Sequence, residues 1–566
     1  MEAVEVTWPW LMAYPAGIDW HAQFPTQPLY RFLEDSVERF ADRPCLDFLG
    51  KGYSYAELGA LVRRAAKGFA GLGVKKGMRV GLILPNTPYY VIAYYAILEA
   101  GGIVVNFNPL YVEHEVHTLA VDSGVEIMVT LDLQLVYPKV AALLGSSAVR
   151  KIVVCPMADI LRTPQSLLYR LFKRADIAKW PRDGVHIDFA ALTANDGVFT
   201  PVAVDPQRDI AVLQYTGGTT GVPTGAALSH ANLVANTCQC RAWFPDSEPG
   251  RERVLAVLPF FHVFAMTVAL NFAIAAGAEI TLLPRPDIKA LIAAIRRKRP
   301  TTMPGVPTLF TALYTHPEVE RLDLTAMKSC ISGGAPLPAE VKAKFEALAK
   351  CTVVEGYGLS ETSPVAACNP LRGVNKTGSV GVPVPGTIVE ILSLETPSKT
   401  LPVGERGEVA IRGPQVMQGY GQKPTETAQV LEGGRLRTGD VGYLDADGYL
   451  FLVDRIKDII IAGGYKIYPR NVEEAIYRHP KVAECIVLGI PDAYRGETVK
   501  AFVAPLPGQE IEAEELLAFL KDKLSPIEMP KQIEFRASLP KTLVGKPSKK
   551  ALLDEETAKA AARAAT

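Results

Sequence analysis

Across residues 31–290 the apolar positions switch repeatedly between helical spacing and short unbroken runs. Residues 55–72 place apolar side chains at helical intervals, which predicts an amphipathic helix. Arg79-Val80-Gly81-Leu82-Ile83-Leu84 is short and nearly all apolar, and predicts a buried strand. A helix over 89–99, ended by Ala100-Gly101-Gly102, leads into a strand over 103–106. Such alternation, with strands apolar on both faces, predicts parallel sheets covered by helices. Residues 353–360 predict another strand running into a loop. Residues 383–419, rich in glycine, proline and β-branched side chains, predict a small antiparallel sheet or barrel.

Beyond Asp454-Arg455-Ile456-Lys457-Asp458 the pattern becomes a compact α+β one. Pro469 opens a helix through Tyr477, strands follow over 484–490 and 499–504, and a helix over 513–524. The alanine-rich tail from Ala558 is expected to fray. The expected fold is α/β. A large N-terminal domain, residues 1–454, has helix-covered, mostly parallel sheets and a small barrel-like β subdomain, and a small α+β domain follows over 455–566.

A chain of 566 residues is too long for one core, in keeping with two domains. Sixty basic residues balance sixty acidic ones, which argues against a nucleic-acid partner. The eight cysteines are scattered without a CxxC pair, so neither a zinc site nor a disulfide framework is indicated, and a reducing compartment is expected. The first residues lack a basic and an apolar signal region, so no secretory signal is expected. The longest apolar stretch, 263–278, is interrupted by Asn271 and falls short of the ~20 residues a bilayer requires. One segment, Leu167-Leu168-Tyr169-Arg170-Leu171-Phe172-Lys173-Arg174, joins bulky apolar residues to basic ones at helical spacing, with Trp180 nearby. It reads either as an interfacial helix in peripheral contact with a membrane or as a surface helix with one buried face.

The densest chemistry lies in Tyr215-Thr216-Gly217-Gly218-Thr219-Thr220-Gly221-Val222-Pro223-Thr224-Gly225, directly after an apolar strand. Glycines let successive N–H groups converge on one point, and threonine hydroxyls add donors, so the loop suits an anion such as a polyphosphate. It is not a Walker A loop, because no Gly-Lys-Ser/Thr follows. In Glu355-Gly356-Tyr357-Gly358-Leu359-Ser360-Glu361-Thr362 the glycines permit a tight turn, Tyr357 offers a flat face for a purine, and Glu361 offers a hard oxygen for Mg²⁺. Ser332-Gly333-Gly334-Ala335-Pro336 is a second small-residue turn. Asp440, in Arg437-Thr438-Gly439-Asp440, carries a carboxylate able to accept hydrogen bonds from both ribose hydroxyls.

These motifs, in this order and over nearly the whole chain, resemble those of the adenylate-forming superfamily, the acyl-CoA synthetases and their relatives. Within it the chain looks most like bacterial long-chain fatty acid–CoA ligases. The resemblance implies that ATP is held by Thr216, Gly217, Gly218, Thr219, Thr220, Gly221 and Thr224, with Gly334, Ala335, Glu355, Gly356, Tyr357, Gly358, Thr362, Asp440 and Arg455. It implies that Glu361 holds magnesium and that Lys546, in Pro540-Lys541-Thr542-Leu543-Val544-Gly545-Lys546, is the catalytic lysine. A cation there would meet the charge that builds when a carboxylate attacks the α-phosphate. Surface or basic-tail readings remain for Arg455, Lys457 and Lys546, the last beside Lys549 and Lys550.

Leu258-Pro259-Phe260-Phe261-His262-Val263-Phe264 and Pro304-Gly305-Val306-Pro307 match segments that border the acyl tunnel. His262, Val263, Gly305 and Gly333 are therefore acyl-site candidates, although His262 also reads as a core histidine. The small domain would turn about Lys457, bringing Gly463, Gly464 and Lys466 to coenzyme A. Neither step demands a general base, since the carboxylate is ionised near neutrality and the thiol is partly so.

The chain departs from the family pattern at Thr224, where a lysine is usual, and at Arg435 and Asn471, where Trp and Glu are common. Loss of one charged hydrogen bond to the triphosphate is worth about 1.5–3 kcal/mol. The implied partners are a fatty acid, ATP and coenzyme A, in a cytoplasmic enzyme at or near the inner membrane face, and a homodimer is compatible with the resemblance. Three alternatives stand beside it: a medium-chain or aryl acid substrate, a carrier-protein acceptor, and a nucleotide- or acyl-binding protein that lost turnover at Thr224.

Overall fold

The computed structural model describes residues 8–216, 224–492, 494–541 and 548–564. Two large sheets dominate. In the eight-stranded sheet the strands run Gly419–Tyr420, Thr224–Ser229, Ile210–Thr216, Ile103–Asn106, Arg79–Ile83, Ile127–Leu131, Lys151–Cys155 and His186–Asp188 from edge to edge. All pairs from Ile210–Thr216 onward are parallel, and the first two strands add antiparallel. The nine-stranded sheet has a parallel centre, including Thr302–Gly305, Ser329–Gly333 and Thr352–Gly358, with antiparallel strands at both edges.

The expected helix over 55–72 is Tyr55–Gly71, started by a capping box between Ser54 and Glu57. The helix Pro88–Glu99 has every residue buried, which explains why it shows no polar face. Asn86 and Tyr90 tie its start to the other large sheet: the Asn86 amide donates to the Ala256 and Leu258 carbonyls, and the Tyr90 hydroxyl to Phe260. One continuous apolar core runs through both sheets and this helix. The apolar stretch after His262 is helical with a π-helical turn over Met266–Asn271.

The small antiparallel sheet extends further than 383–419. It comprises Ile388–Leu392, Gly407–Arg412, Leu431–Glu432, Arg435–Leu444 and Leu450–Arg455. Arg435–Leu444 escapes pattern reading because Arg435, Arg437, Gly439 and Asp440 interrupt its apolar alternation. Gly419–Tyr420 leaves this sheet and pairs with Thr224–Ser229.

From Ile460 onward a separate core forms around Val472, Ile476, Val487, Val499 and Leu516. Its sheet takes Tyr465–Ile467, Ile460–Ala462, Gly496–Pro505 and Val482–Asp492 in that order, with Gln532–Phe535 added parallel. The tail does not fray at Ala558: the helix Lys549–Ala564 continues past it. Alanine is the best helix former, and Leu552 anchors the helix by packing fully buried with Ile486, Leu488, Phe502 and Leu539. Among the described residues no helix is long and apolar enough to cross a membrane, and all eight cysteines are free thiols.

Candidate functional site

The glycine- and threonine-rich loop is carried on a hairpin. Ile210–Thr216 and Thr224–Ser229 pair antiparallel, with Tyr215 opposite Gly225 and Thr216 opposite Thr224. A Cβ on Gly225 would lie 3.0 Å from the Tyr215 ring, so the close approach favours glycine there. The loop members Gly217, Gly218, Thr219, Thr220 and Gly221 lie outside the described residues, as does Lys546.

Glu361 sits on a single 3-10 turn, Ser360–Thr362, at the end of the strand Thr352–Gly358. Glycine is required at 358, since a Cβ would stand 1.8 Å from the Pro364 carbonyl oxygen. Thr362 is fully buried and holds the turn: its hydroxyl accepts from the Leu359 N–H at 2.9 Å and donates to the Pro364 carbonyl. The carboxylate of Glu361 accepts a 2.8 Å hydrogen bond from the Tyr420 hydroxyl, and its carbonyl accepts from Met417 N–H at 2.8 Å. Gln418 N–H donates to Ala227 and Gly421 N–H to Gly225, so the segment 417–421 ties the Glu361 turn to the root of the glycine-rich loop.

A cleft of about 330 Å³ opens in front of this turn, lined by Leu359, Glu361, Tyr420, Glu408, Thr438 and Gly439 among others. It joins two motifs that are 77 residues apart between Glu361 and Thr438 in the numbering. Glu408 is buried and organises the second motif, accepting from the Arg437 guanidinium at 2.7 Å and from Gly439 N–H at 3.1 Å. Asp440 and Arg455 face each other across antiparallel strands. Their side chains meet at 3.2 Å, and the other Asp440 oxygen accepts from the Tyr357 hydroxyl at 2.6 Å. Burial pushes the Asp440 carboxyl up, with Arg455 and Tyr357 opposing, and burial pushes the Tyr357 phenol far above its usual range.

Glu355 and Gly356 lie beside Ser332 and Gly333 on the neighbouring parallel strand. Glu355 accepts from Leu337 N–H at 3.1 Å, and burial pushes its carboxyl up to about 7 against the pull of Arg470. Gly334 takes φ +79°, a backbone conformation that favours glycine, and Ala335 beside it is half-buried. The buried Ser332 hydroxyl has no hydrogen-bond partner among the described residues.

The apolar candidates also converge. Phe264 lies over Gly333, where a Cβ would meet its ring at 2.8 Å, and Phe310 does the same to Gly305. Gly305 pairs with Ser332 in the sheet, so the two glycine sites are neighbours. Val263 is buried. His262 is half-buried and caps the short helix Val263–Ala265, its Nδ1 accepting from Phe264 N–H at 3.3 Å.

The C-terminal candidates stand apart from the cleft. Gly463 and Gly464, with φ +58° and +84°, form the two-residue turn between Ile460–Ala462 and Tyr465–Ile467. Lys466 is exposed, and none of these three lines the cleft. Lys457 lies exposed on the turn Ile456–Asp458.

Three participants escape sequence reading. Tyr420 and Glu408 are single residues in unremarked stretches, and only the strand pairing brings them to the motifs. Lys549, which reads as part of a basic tail, is instead enclosed by Asp454, Asp458 and Glu473 at 3.8, 3.9 and 3.6 Å. Those carboxylates raise its ammonium against the opposing effect of burial.

Fold and cleft together define an adenylate-forming enzyme, and the chain belongs to the AMP-binding enzyme family. The family's model matches residues 33–421, and that of the AMP-binding enzyme C-terminal domain matches 471–546. Among its relatives, a long-chain-fatty-acid–CoA ligase of Bacillus subtilis is 46% identical, covering 97% of this chain and 98% of that protein. The long-chain-fatty-acid–CoA ligase of Escherichia coli O6:H1 is 35% identical over 97% and 98% of the two chains. In three dimensions the chain is similar to ATP-bound MatB from Rhodopseudomonas palustris, with a TM-score of 0.81 and 28% identity over 94% and 99% of the two chains.

Proposed function

We infer that the protein is an acid–thiol ligase that activates a fatty acid with ATP and transfers the acyl group to coenzyme A. The observation that carries this reading is a cleft lined by Glu361, Thr438 and Gly439, beside which Asp440 is held by Tyr357 and Arg455, in a chain whose full-length relatives are named for that reaction. The fatty carboxylate attacks the α-phosphate, giving acyl-AMP and pyrophosphate. The coenzyme A thiol then displaces AMP.

In this reading the ribose hydroxyls are received by Asp440, which Tyr357 and Arg455 already orient. Adenine lies against Tyr357 and the turns at Gly334, Ala335, Glu355, Gly356 and Gly358. The triphosphate is received at Thr216, Thr224 and the loop between them. The acyl chain runs along His262, Val263, Gly305 and Gly333, the two glycines lying against the Phe310 and Phe264 rings. Lys546 is assigned to the transition-state charge.

Magnesium fits the donor set. Glu361 lines the cleft and offers a hard carboxylate oxygen, and magnesium is an ion that uses one or two carboxylates and completes its shell with phosphate and water. Glu361 would hold it. Bound there, magnesium would neutralise phosphate charge.

The domain boundary is placed at residue 455, with Lys457 as hinge. Rotation about it would carry Gly463, Gly464 and Lys466, which stand off the cleft in this arrangement, toward the thiol's approach. Because fatty acids partition into bilayers, the reading includes substrate encounter at a membrane surface. The experiment is coenzyme A consumption across a panel from short- to long-chain fatty acids plus benzoate, alongside acid-dependent pyrophosphate exchange. Long-chain acids should react fastest. Exchange with no acid in the panel would reduce the protein to a binder.

A further inference from the structure

The helix Gln165–Phe172 buries none of its residues. Leu167, Leu168, Leu171 and Phe172 are 63%, 49%, 69% and 75% exposed. At roughly 3.6 residues per turn these four share one continuous face, and the half-buried Ser166 and Tyr169 occupy the opposite one. Tyr169 packs against the main core, and Arg170 pairs with Asp159 beneath the helix. The helix is thus moored by its polar side with its apolar side turned outward, the reverse of an ordinary surface helix. Among the described residues no other helix exposes more than one large apolar side chain.

Charge singles out the same face. Residues 162–182 hold six basic side chains and one acidic, in a chain whose total charge is zero. Arg170 and Arg182 are paired with Asp159 and Asp188 from outside that segment, and Lys173 makes only an exposed 3.4 Å contact with Asp176. Arg162, Arg174 and Lys179 are exposed and make no ion pair among the described residues. Trp180, half-buried with the Arg182 guanidinium 3.7 Å over its ring, stands at the rim. Bulky apolar side chains on one face with uncompensated cations beside them complement an anionic lipid surface, whose boundary offers hydrocarbon below and phosphate at its edge.

We propose that residues 162–182 are the docking face by which this protein seats on an anionic phospholipid bilayer, Leu167, Leu168, Leu171 and Phe172 entering the headgroup boundary. Arg162, Arg174 and Lys179 then meet lipid phosphates. The face supplies the surface encounter contained in the fatty-acid reading, yet its test needs no turnover. Full-length protein is sedimented, without substrate, with vesicles of phosphatidylcholine alone or mixed with phosphatidylglycerol. Wild type should bind the mixed vesicles at least about tenfold more tightly, and salt should weaken the binding. Leu171→Ser with Phe172→Ser should lose binding to both. Arg174→Glu with Lys179→Glu should lose only the preference for anionic vesicles. Thermal unfolding of each variant should match wild type and so exclude misfolding. Equal vesicle binding by wild type and the apolar variant overturns the proposal. So does a wild-type dimer in solution that the apolar variant abolishes, since the face would then cover a second copy of the chain.

Discussion

The Tyr357 hydroxyl donates a 2.6 Å hydrogen bond to one oxygen of Asp440, while Arg455 meets the other at 3.2 Å. A carboxylate held from both sides before nucleotide arrives loses little freedom when it binds. Tyr357→Phe should therefore weaken ATP binding by about fivefold, the worth of one net hydrogen bond of about 1 kcal/mol. Asp440→Ala, which also strands Arg455, should cost at least tenfold. Calorimetric titration with ATP in the absence of acid reads both, and equal affinity in all three proteins refutes the ribose assignment.

Thr224 ends the hairpin loop directly opposite Thr216. A lysine there would add one charged donor, worth about 1.5–3 kcal/mol. Thr224→Lys is expected to lower KM for ATP by about ten- to hundredfold. An unchanged KM would mean that other groups already neutralise the terminal phosphates.

The Glu361 carboxylate is oriented by the Tyr420 hydroxyl. Glu361→Gln should raise the magnesium concentration needed for half-maximal rate by about a hundredfold. Tyr420→Phe, which keeps the carboxylate and loses its 2.8 Å hydrogen bond, should raise it only severalfold. Manganese bound in the presence of ATP, counted by electron paramagnetic resonance, should follow the same order. A Tyr420→Phe protein with wild-type manganese affinity would leave the tyrosine a purely packing role.

Glu99 closes the fully buried helix, with Oε2 lacking any partner among the described residues. Burial first, and Glu34 next, push its carboxyl from 4.5 up to about 8. The folded state thus binds this proton more tightly than the unfolded chain does. The resulting stability is full below about pH 4.5 and is lost as pH rises toward about 8. Glu99→Gln should remove that loss, gaining roughly 5 kcal/mol relative to wild type at pH 9 and little at pH 4. Denaturant unfolding at the two pH values measures it, and parallel pH dependence in both proteins contradicts it.

Elements with a plain period were legible from sequence. Ile103–Asn106 and Pro469–Tyr477 fall where the pattern puts them, because each is bounded by glycine or proline and is uniformly apolar or amphipathic. Arg435–Leu444 was not legible, because Arg435, Arg437, Gly439 and Asp440 displace the apolar alternation that marks a strand. The motif carboxylates could be named one by one, but not what holds them. Tyr420 reaches Glu361 only because Gly419–Tyr420 crosses to another sheet, a long-range pairing with no local trace. Lys549 looked like one charge in a solvated tail, since three carboxylates drawn from two distant segments cannot be counted along a sequence.

The crossing at 417–421 bonds through its backbone to both the Glu361 turn and the strand that leaves the glycine-rich loop. It therefore works as a gauge block between these two segments. Inserting or deleting one residue before Tyr420 would flip its side chain to the other face of the sheet and release Glu361, whatever amino acid was added. Over this stretch the count of residues sets the geometry as firmly as the Tyr420 hydroxyl does.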